Sequence, residues 1–512
     1  MTDVADHELD AGYLDSLLSE GAPVDNDEPP AEATAPEGTV ARVVDVDGKT
    51  VKESQATELV RLAEARYRFA VADDGRAFAV PLYGSIARPL DGNRGLRGEL
   101  AAAYFEMHER APGRTSLSDA AAVLEGKAQA SDRERLALRV DHQGERVVID
   151  LGTVDETFVV IDGAGWEVVG PTDVTFRRTE LTSALPIPVA DGTSLEDLRD
   201  LVNVADAAWP LLVGWMVASY LDVPTPLVLF TGEQGTGKTR AAKTMANLID
   251  PSPAPVRAAP RDVESWIIAA AGSHVVAVDN LSTIADWLSD ALCRAATGEG
   301  LVRRQLYTDG GLAVTSFRRR IILTSIDAGA LRGDLGERLL PIELERIAPD
   351  RRRTDAELDA MFTARHAGIL ADLFDLVAAV LARIDTVTVP ELPRMADFGR
   401  VLAALDVLLG WETLKAYQVA VDEVAVDVVN GDPLASAVVD LLERDRVFVG
   451  PAAQLLKDLH PWRPDAGPWP KTPKALSGSL SRLAPALRTV GIVFDRSKAN
   501  GSRTIHLRRG EK

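Results

Sequence analysis

The chain has 512 residues, 46 % of them apolar, a net charge of −21 and one cysteine, Cys293. This composition predicts two to four folded domains, excludes an internal disulfide and, because paired CxxC spacings are absent, favours a cytoplasmic protein without a zinc cluster. No secretory signal is recognisable, and the longest apolar run, residues 207–221, is shorter than the roughly 18 residues of a membrane span, so it predicts a buried helix and no membrane partner.

Residues 1–40 contain eleven Asp or Glu and no Lys or Arg. Low hydrophobicity and a run rich in Pro, Ala and Glu at 21–38 predict a disordered acidic tail. A short helix over residues 6–19 fits the spacing of its apolar side chains, which are Leu9, Tyr13, Leu14, Leu17 and Leu18. The alternatives are a frayed tail and a helix that folds on docking to a partner such as a primase or polymerase.

Residues 41–200 predict an N-terminal mixed α/β domain. The alternating segment 66–82 predicts a hairpin that turns at residues 73–75, and a helix is expected over 99–110. Several strands are expected between residues 136 and 178. No metal or nucleophile spacing occurs here, so the role of this domain stays open.

Residues 201–350 alternate apolar strands with helices, the pattern of a parallel α/β sheet. The expected strands are 227–231, 275–279 and 321–325, with a helix over 238–248. Residues 351–430 are helical by composition. A linker at 430–433 precedes a last small domain, 434–512.

The segment from Gly232 to Thr239 has the pattern G-x-x-x-x-G-K-[ST] between an apolar strand and a helix. Its glycines allow backbone N–H groups to surround phosphate oxygens, Lys238 reaches the β- and γ-phosphates, and the Thr239 hydroxyl ligates Mg²⁺. The chain is therefore expected to bind ATP with Mg²⁺. The predicted nucleotide-binding residues are Gly232, Glu233, Gln234, Gly235, Thr236, Gly237, Lys238, Thr239 and Arg240.

A second buried strand ends at Asp279, which is expected to hold Mg²⁺. Asn280 follows, where many such ATPases carry a glutamate that activates water. An asparagine orients a water molecule but cannot accept its proton, so the general base stays open among three carboxylates, which are Asp262, Glu264 and Glu299.

The third strand ends at Thr324 and Ser325, either of which can sense the γ-phosphate; the alternative is a serine that caps the strand. Arg338 then precedes an apolar run and is the first candidate for an arginine finger acting on a neighbouring subunit, with Arg332 second. A local ion pair between Arg338 and Asp334 is the alternative.

Between the second and third strands a basic hairpin is predicted to turn at residues 309–311. Arg303, Arg304 and Tyr307 lie near it. Cations hold phosphates and an aromatic ring stacks on a base, so this composition suits single-stranded DNA. A solvated basic hairpin is the alternative.

This order of parts resembles helicase superfamily 3, and in particular the AAA+ ATPases of the phage and plasmid primase-helicase group, found also in integrated elements of actinobacteria. The resemblance covers about residues 150–510 and includes the sequence segments 256–262, 279–282, 287–292 and 393–398. It implies a ring, usually of six subunits, around DNA, with ATP between subunits. It also implies that Lys238, Thr239 and Asp279 bind Mg·ATP, that Arg303 and Arg304 touch DNA, and that Arg338 acts in trans. No primase centre is visible in the sequence.

Residues 450–512 hold twelve Lys or Arg and four Asp or Glu, in contrast to the acidic head. Helices over 434–443, 451–459 and 473–484, the last ended by Pro485, and a hairpin around 498–501 predict a winged helix that holds duplex DNA. Protein docking is the alternative role. The predicted contacts to duplex DNA are Lys474, Arg482, Lys498 and Arg503.

Three functions fit these features. The first is an ATP-driven DNA helicase or translocase in the replication of a mobile element. The second is a nucleotide-gated loader or switch that grips DNA without unwinding it, which Asn280 favours if hydrolysis is slow. The third is a signalling or defence ATPase, for which no effector domain is evident.

Overall fold

The computed structural model describes most of the chain from residue 53 onward. Its described ranges are 53–90, 95–281, 284–299, 301–304, 312–315, 317–325, 333–465, 469–499 and 502–510. The predicted acidic tail, Tyr307, the hairpin turn at 309–311 and Arg332 lie outside them. All elements below belong to one compact unit, Gln55–Lys512.

The first part of this unit is a small α/β layer. A four-stranded sheet of order β3-β2-β1-β4 packs against three helices, and the hairpin between β1 and β2 is antiparallel. Gly75 takes φ 84° in its turn, so the predicted hairpin is confirmed. The elements are α1 Gln55–Glu64, β1 Tyr67–Ala72, β2 Ala77–Pro81, β3 Arg88–Pro89, α2 Leu96–His108, α3 Arg114–Gln129 and β4 Arg133–Glu134.

A second sheet is an antiparallel meander, so the strands expected between residues 136 and 178 are confirmed. The buried valines and isoleucines of one face belong to the same core as the helices described next, whereas Val148 and Val160 on the other face belong to a separate small core. The Trp166 indole N–H donates to Asp375 Oδ1 at 2.8 Å. The strands are β5 Val140–Gln143, β6 Arg146–Asp150, β7 Phe158–Asp162 and β8 Gly165–Val169.

A 3-10 helix, Leu195–Asp200, leads to helix α4, Trp209–Ala218. Nine of the ten α4 residues are buried, because the helix is apolar on every face. This confirms the buried helix expected from the apolar run. Among the described residues, no helix has both the length and the apolar composition to cross a membrane.

The central layer is a five-stranded sheet of order β10-β11-β14-β9-β15 in which all neighbours are parallel. Four of its strands are short, largely apolar and mostly buried, as parallel sheets require, whereas the edge strand β10 contains Arg257 and is partly exposed. An antiparallel hairpin, β12–β13, is inserted before β14. The elements are β9 Leu227–Thr231, α5 Lys238–Ile249, β10 Val256–Ala258, α6 Val263–Ala271, β11 Val275–Asp279, α7 Asp286–Thr297, β12 Leu301–Arg304, β13 Leu312–Thr315, β14 Arg320–Thr324, α8 Gly333–Gly336 and β15 Leu339–Glu343.

Three helices follow: α9 Asp355–Leu381, α10 Ala396–Leu409 and α11 Thr413–Gly431. Helix α9 begins with a capping box, in which the Thr354 hydroxyl and the Glu357 carboxylate bond each other's backbone N–H groups. The predicted helical character of residues 351–430 is therefore confirmed.

The last part combines three helices with a three-stranded antiparallel sheet of order β16-β18-β17. A 3-10 turn, His460–Trp462, follows α13. The elements are α12 Pro433–Asp445, β16 Val447–Pro451, α13 Ala452–Asp458, α14 Pro473–Thr489, β17 Ile492–Ala499 and β18 Ser502–Arg509.

Several boundaries differ from the predictions, among them the start of the helix expected at 99–110, which begins at Leu96, and two of the differences have a clear physical reason. The linker expected at 430–433 is absent, because α11 runs to Gly431 and the Asp432 carboxylate accepts the N–H groups of Leu434 and Ala435 as the cap of α12. Helix α14 continues through Pro485 to Thr489. A proline in a helix removes one hydrogen bond, and burial of the neighbouring Leu483, Ala486 and Leu487 offsets that cost.

The last part also shares its core with the parallel sheet. One continuous cluster of buried residues joins Leu227 and Leu229 of β9 to Leu476 and Leu480 of α14, through valines of α11. Strand β16, which the sequence analysis did not predict, completes the small sheet. Residues 434–512 are therefore packed onto the layer that contains β9.

A buried ion pair joins three segments of the chain that are distant in sequence. Arg139 donates from Nε to Asp250 Oδ1 at 2.9 Å, and its other nitrogens donate to two backbone carbonyls. Asp250 follows α5, and its second oxygen accepts the N–H groups of His274 and Val275 at 2.7 and 3.1 Å. One side-chain pair therefore ties the end of α5 and the start of β11 to the segment preceding β5.

Arg320, at the start of β14, is buried against the end of α4. Its guanidinium donates to the carbonyls of Ser219, Leu221 and Val223 at 3.2, 2.6 and 3.0 Å. Burial lowers the pKa of Arg320 to about 9. This arginine, adjacent to the basic hairpin in sequence, therefore caps a helix inside the fold.

Candidate nucleotide-binding site

The loop between β9 and α5 takes a conformation that its glycines allow. Gly232, Gly235 and Gly237 have φ values of 134°, 85° and 85°, in the region that residues with a side chain rarely adopt. A Cβ on Gly232 would also stand 2.8 Å from the Leu344 carbonyl oxygen. The chain can therefore turn tightly at the carboxyl end of β9 and present the first N–H groups of α5 to an anion.

Lys238 lies over this loop. Its ammonium donates to the carbonyls of Gly232 and Glu233, both at 2.8 Å. The Thr236 hydroxyl donates to the same Glu233 carbonyl at 3.0 Å, which braces the turn from inside. A flexible cation is thus held at the mouth of the loop, where it can exchange carbonyl partners for phosphate oxygens.

Three predicted residues meet at the carboxyl edge of the sheet. The Thr239 hydroxyl lies 3.0 Å from each carboxylate oxygen of Asp279. The Thr324 hydroxyl donates to Asp279 Oδ1, and the Asn280 N–H donates to the Thr324 hydroxyl at 2.8 Å. Because β11 and β14 are neighbours, the ends of these strands and the first turn of α5 share one edge.

The chemistry of these donors fits magnesium. Mg²⁺ prefers hard oxygen ligands, one or two from the protein and the rest from water and phosphate. Thr239 and Asp279 supply a hydroxyl and a carboxylate on the two sides of one contact. Both side chains border open space next to the glycine loop.

Asn280 and Ser325 have different surroundings. Asn280 is exposed at φ 58°, a left-handed conformation that asparagine tolerates better than most residues. The buried Ser325 hydroxyl donates to the Leu281 carbonyl at 2.7 Å. Of the two residues predicted as γ-phosphate sensors, Thr324 is the one that touches the Asp279 carboxylate.

These groups line a cleft of about 720 Å³. The cleft also includes residues that the sequence analysis did not single out, Lys243 and Asp355. No local motif marks them, because Asp355 comes from α9, far along the chain. The lining residues are Gln234, Gly235, Gly237, Lys238, Thr239, Arg240, Lys243, Asp279, Asn280, Thr324, Ser325 and Asp355.

Arg240 and Lys243 are paired across the cleft with Asp359 of α9, at 2.6 and 3.2 Å. The hydrogen bond from Arg240 lowers the pKa of Asp359. These contacts bring α9 against the first two turns of α5. The arginine predicted to bind nucleotide thus also holds α9 beside the loop.

The three carboxylates considered as general bases are not among the residues that line the cleft. Asp262 caps α6 by accepting the Ser265 N–H at 2.8 Å, and this bond lowers its pKa. Glu264 lies in the first turn of the same helix, and Glu299 follows α7. None of the three is therefore among the residues that line the cleft with Asp279.

Arg338 lies at the opposite edge of the sheet from the glycine loop. Its carbonyl accepts the N–H of Leu227, the first residue of β9, at 2.8 Å. Its guanidinium contacts Cys293 Sγ at 3.7 Å. A five-residue strand separates the two edges by roughly 13 Å, so this side chain is not positioned to reach the glycine loop of its own chain.

The predicted DNA-contact residues fall in two places. Arg303 and Arg304 lie in β12, where Arg304 is opposite Leu312 in the hairpin register; the structure does not describe their side chains. In the last part, Lys474 and Arg482 are exposed on α14, and Lys498 is directly opposite Arg503 in the β17–β18 hairpin.

The sequence analysis missed Arg496 in this hairpin. Its guanidinium lies 5.1 Å from the ring centre of Phe494 and contacts the Ser477 carbonyl and the Ser481 hydroxyl of α14. Arg496 therefore fixes the hairpin against the helix that carries Lys474 and Arg482.

Two family models match the chain. Residues 195–427 match the replication protein of actinomycete integrative conjugative elements, and residues 434–512 match the C-terminal domain of the same protein, RepA. No curated protein matches the chain.

Two solved structures resemble most of the chain at low identity. One is the apo C-terminal region of NrS-1, with 12 % identity, a TM-score of 0.38, and coverage of 90 % of this chain and 100 % of that one. The other is the SCCmec type IV protein Cch, described as an active helicase, with 11 % identity, a TM-score of 0.41, and coverage of 87 % and 93 %. Over residues 195–427 and 434–512, the chain is therefore similar to the replication protein of actinomycete integrative conjugative elements.

Proposed function

We propose that this replication protein is an ATP-dependent DNA helicase or translocase that forms a ring, usually of six subunits, around DNA. The observation that carries the proposal is the meeting of Thr239, Asp279 and Thr324 beside a glycine loop that holds Lys238. This is the arrangement that a magnesium–nucleotide hydrolase requires. A replication protein has a direct use for such a motor on DNA.

The strand order supports an AAA+ core within residues 201–350. In chain order the five parallel strands are β9, β10, β11, β14 and β15, and β9 lies between the last two in the sheet. With a basic hairpin inserted before β14, this order also supports the superfamily 3 assignment. We further propose that residues 1–40 are a tail, 41–200 an N-terminal domain, 351–430 a helical region and 434–512 a winged helix.

In this function the residues of the glycine loop and of the adjoining sheet edge have defined tasks. Backbone N–H groups at residues 235–239 and the Lys238 ammonium bind phosphate oxygens, and Arg240 stands at the edge of the loop. Thr239 and Asp279 would hold Mg²⁺, which neutralises phosphate charge when bound. Thr324 orients the Asp279 carboxylate, and Asn280 orients the attacking water by hydrogen bonding.

Arg338 is proposed to complete the site of a neighbouring subunit. Its place at the far edge of the sheet supports action in trans, since it faces away from its own loop. An arginine that stabilises transition-state charge contributes about a thousand-fold or more to turnover.

Arg338→Ala is expected to leave ATP binding unchanged and to lower hydrolysis about a thousand-fold. Mixing it with Lys238→Ala subunits should restore part of the activity, because those subunits offer an intact Arg338 to the intact phosphate loop of the first variant. Turnover measured across a series of mixing ratios checks this. A mixture that stays inactive at every ratio would contradict the trans role.

The β12–β13 hairpin is proposed to hold a single DNA strand in the ring channel through Arg303, Arg304 and Tyr307. ATP hydrolysis should then rise several-fold on adding single-stranded DNA. Arg303→Ala combined with Arg304→Ala should abolish this rise and leave the basal rate intact. Arg114→Ala, an exposed arginine on α3, is the matched control and should keep the response.

The last part is proposed to bind duplex DNA through Lys474, Arg482, Lys498 and Arg503. The support is that these four cations are exposed on one helix and one hairpin that Arg496 holds together. Protein docking is the alternative. Because residues 434–512 share a core with the parallel sheet, charge substitutions test this role better than deletion does.

A second candidate function is a nucleotide-gated loader or switch without unwinding activity. Asn280 favours this function, because an amide does not accept a proton from water. The carboxylates among the residues that line the cleft are those of Asp279 and Asp355. ATP binding with slow turnover that single-stranded DNA does not change would support the loader or switch function and contradict the helicase function. In either case a primase or polymerase partner through the acidic tail, and a cytoplasmic location, are parts of the proposal.

A further inference from the structure

The cleft contains a second carboxylate for which the proposed chemistry has no task. Asp355 lies in the first turn of α9, is exposed and lines the cleft with the phosphate-loop residues. No hydrogen bond or ion pair joins its carboxylate to a residue that the structure describes. One turn further along the same helix, Asp359 is occupied by Arg240 and Lys243.

The first turns of α5 give the cleft two sides. Thr239 points to the sheet, where it meets Asp279. Arg240 and Lys243 point to α9, where they meet Asp359. If the metal and the terminal phosphates lie on the sheet side, the remainder of the nucleotide extends past Arg240 towards α9. Asp355 stands on that side.

The chemistry of a carboxylate limits which groups of a nucleotide Asp355 can contact on this side of the cleft. An ionised carboxylate only accepts hydrogen bonds, and it repels phosphate oxygens. The donors that a nucleotide presents beyond its phosphates are the ribose hydroxyls and the amino group of the base. A ribose hydroxyl is a partner that aspartate recognises in other nucleotide sites, and it is nearer to the phosphates than the base amine is.

We propose that Asp355 accepts hydrogen bonds from the ribose hydroxyls of the bound nucleotide and so makes the site selective for ribonucleotides. This inference rests on the proposed ATP binding at Lys238, Thr239 and Asp279. Selection for the ribose keeps the motor supplied by ATP and insensitive to the deoxynucleotides that a replication site uses. A hydrogen bond to a charged group corresponds to about ten-fold in affinity.

The test compares equilibrium binding of ATP, 2′-deoxy-ATP, 3′-deoxy-ATP and ITP by calorimetry on the full chain, with turnover as a second readout. The wild type should bind ATP about ten-fold more tightly than at least one deoxy analogue. Asp355→Ala should reduce this preference to near unity, and Asp355→Asn, which keeps one neutral acceptor oxygen, should reduce it in part. Asp350→Asn, an exposed aspartate five residues earlier and outside the cleft lining, is the matched control and should keep it.

Each other outcome has a definite meaning. A wild type that does not distinguish ATP from either deoxy analogue overturns the proposal, as does an Asp355→Ala variant that keeps the preference. A change confined to the ratio of ATP to ITP, which lacks the amino group, would assign Asp355 to the base and overturn the ribose contact. If the wild type does not bind ATP, the assignment of the nucleotide-binding site is itself wrong. If ATP binding is lost in Lys238→Ala and kept in the wild type, that assignment stands. Circular dichroism confirms that each variant is folded.

Discussion

Lys238→Ala is expected to weaken ATP binding at least about a hundred-fold and to remove measurable hydrolysis. The Lys238 ammonium is the cation that the loop carbonyls of Gly232 and Glu233 hold at its mouth. Its removal leaves the triphosphate without a positive side chain inside the loop. Binding calorimetry and phosphate release on the purified variant measure both effects.

The control for this change is Lys415→Ala. Lys415 is an exposed lysine of α11 whose ion-pair partner, among the residues that the structure describes, is the nearby Glu412, so the substitution removes the same charge away from the cleft. Its binding and turnover should match those of the wild type. Hydrolysis that persists in Lys238→Ala would mean that the catalytic nucleotide binds elsewhere, and the assignment of this cleft would be wrong.

Arg139→Met is expected to lower the free energy of unfolding by about 3–5 kcal/mol. The Arg139 and Asp250 side chains are 1 % and 6 % exposed, so the substitution leaves a buried carboxylate without its cation. Two backbone carbonyls also lose their donors. Urea denaturation followed by fluorescence measures the change, with the slope of the transition checked for two-state behaviour.

The matched control is Arg76→Met, since Arg76 forms a surface ion pair with Asp74 and is 67 % exposed. Its effect should be below about 1 kcal/mol. If Arg139→Met is as mild as this control, the buried pair does not contribute to stability in the way that its burial implies.

The buried pair of Arg139 and Asp250 can also be tested for an effect on ATP binding. Asp250 receives the N–H groups at the start of β11, the strand that ends in Asp279, and it terminates α5, the helix that begins with Lys238. Asp250→Asn keeps the shape of the side chain but removes its charge. A rise in the KM for ATP in this variant, at temperatures where it is folded, would show that the pair also positions the two arms of the cleft.

Local features of the protein could be predicted from the sequence because they depend on contiguous residues. The glycine loop needs its glycines, Lys238 and Thr239 within one turn of chain, and a buried strand shows as a short apolar run between polar residues. The hairpin at 66–82, the buried helix at 209–218 and the strands β9, β11 and β14 follow from such patterns. The roles given to individual site residues remain predictions.

Contacts between distant residues could not be predicted in this way. Thr239 and Asp279 are 40 positions apart, and Asp279 and Thr324 are 45 apart. Only the parallel pairing of β11 with β14 brings these ends to one edge of the sheet. Asp355 and Asp359 lie at the cleft because α9 packs against α5. No sequence motif in either helix predicts that packing.

The sequence by itself therefore determined that a glycine loop, buried strands and a basic C-terminal region exist, since hydrophobic periodicity and turn chemistry are local. Only the tertiary structure decided how these parts share cores and edges. Burial of Leu483, Ala486 and Leu487 carries α14 through Pro485, and the cap at Asp432 replaces an expected linker. Packing among residues far apart in sequence outweighs local preferences at these positions, because buried apolar area contributes more free energy than one lost helical hydrogen bond.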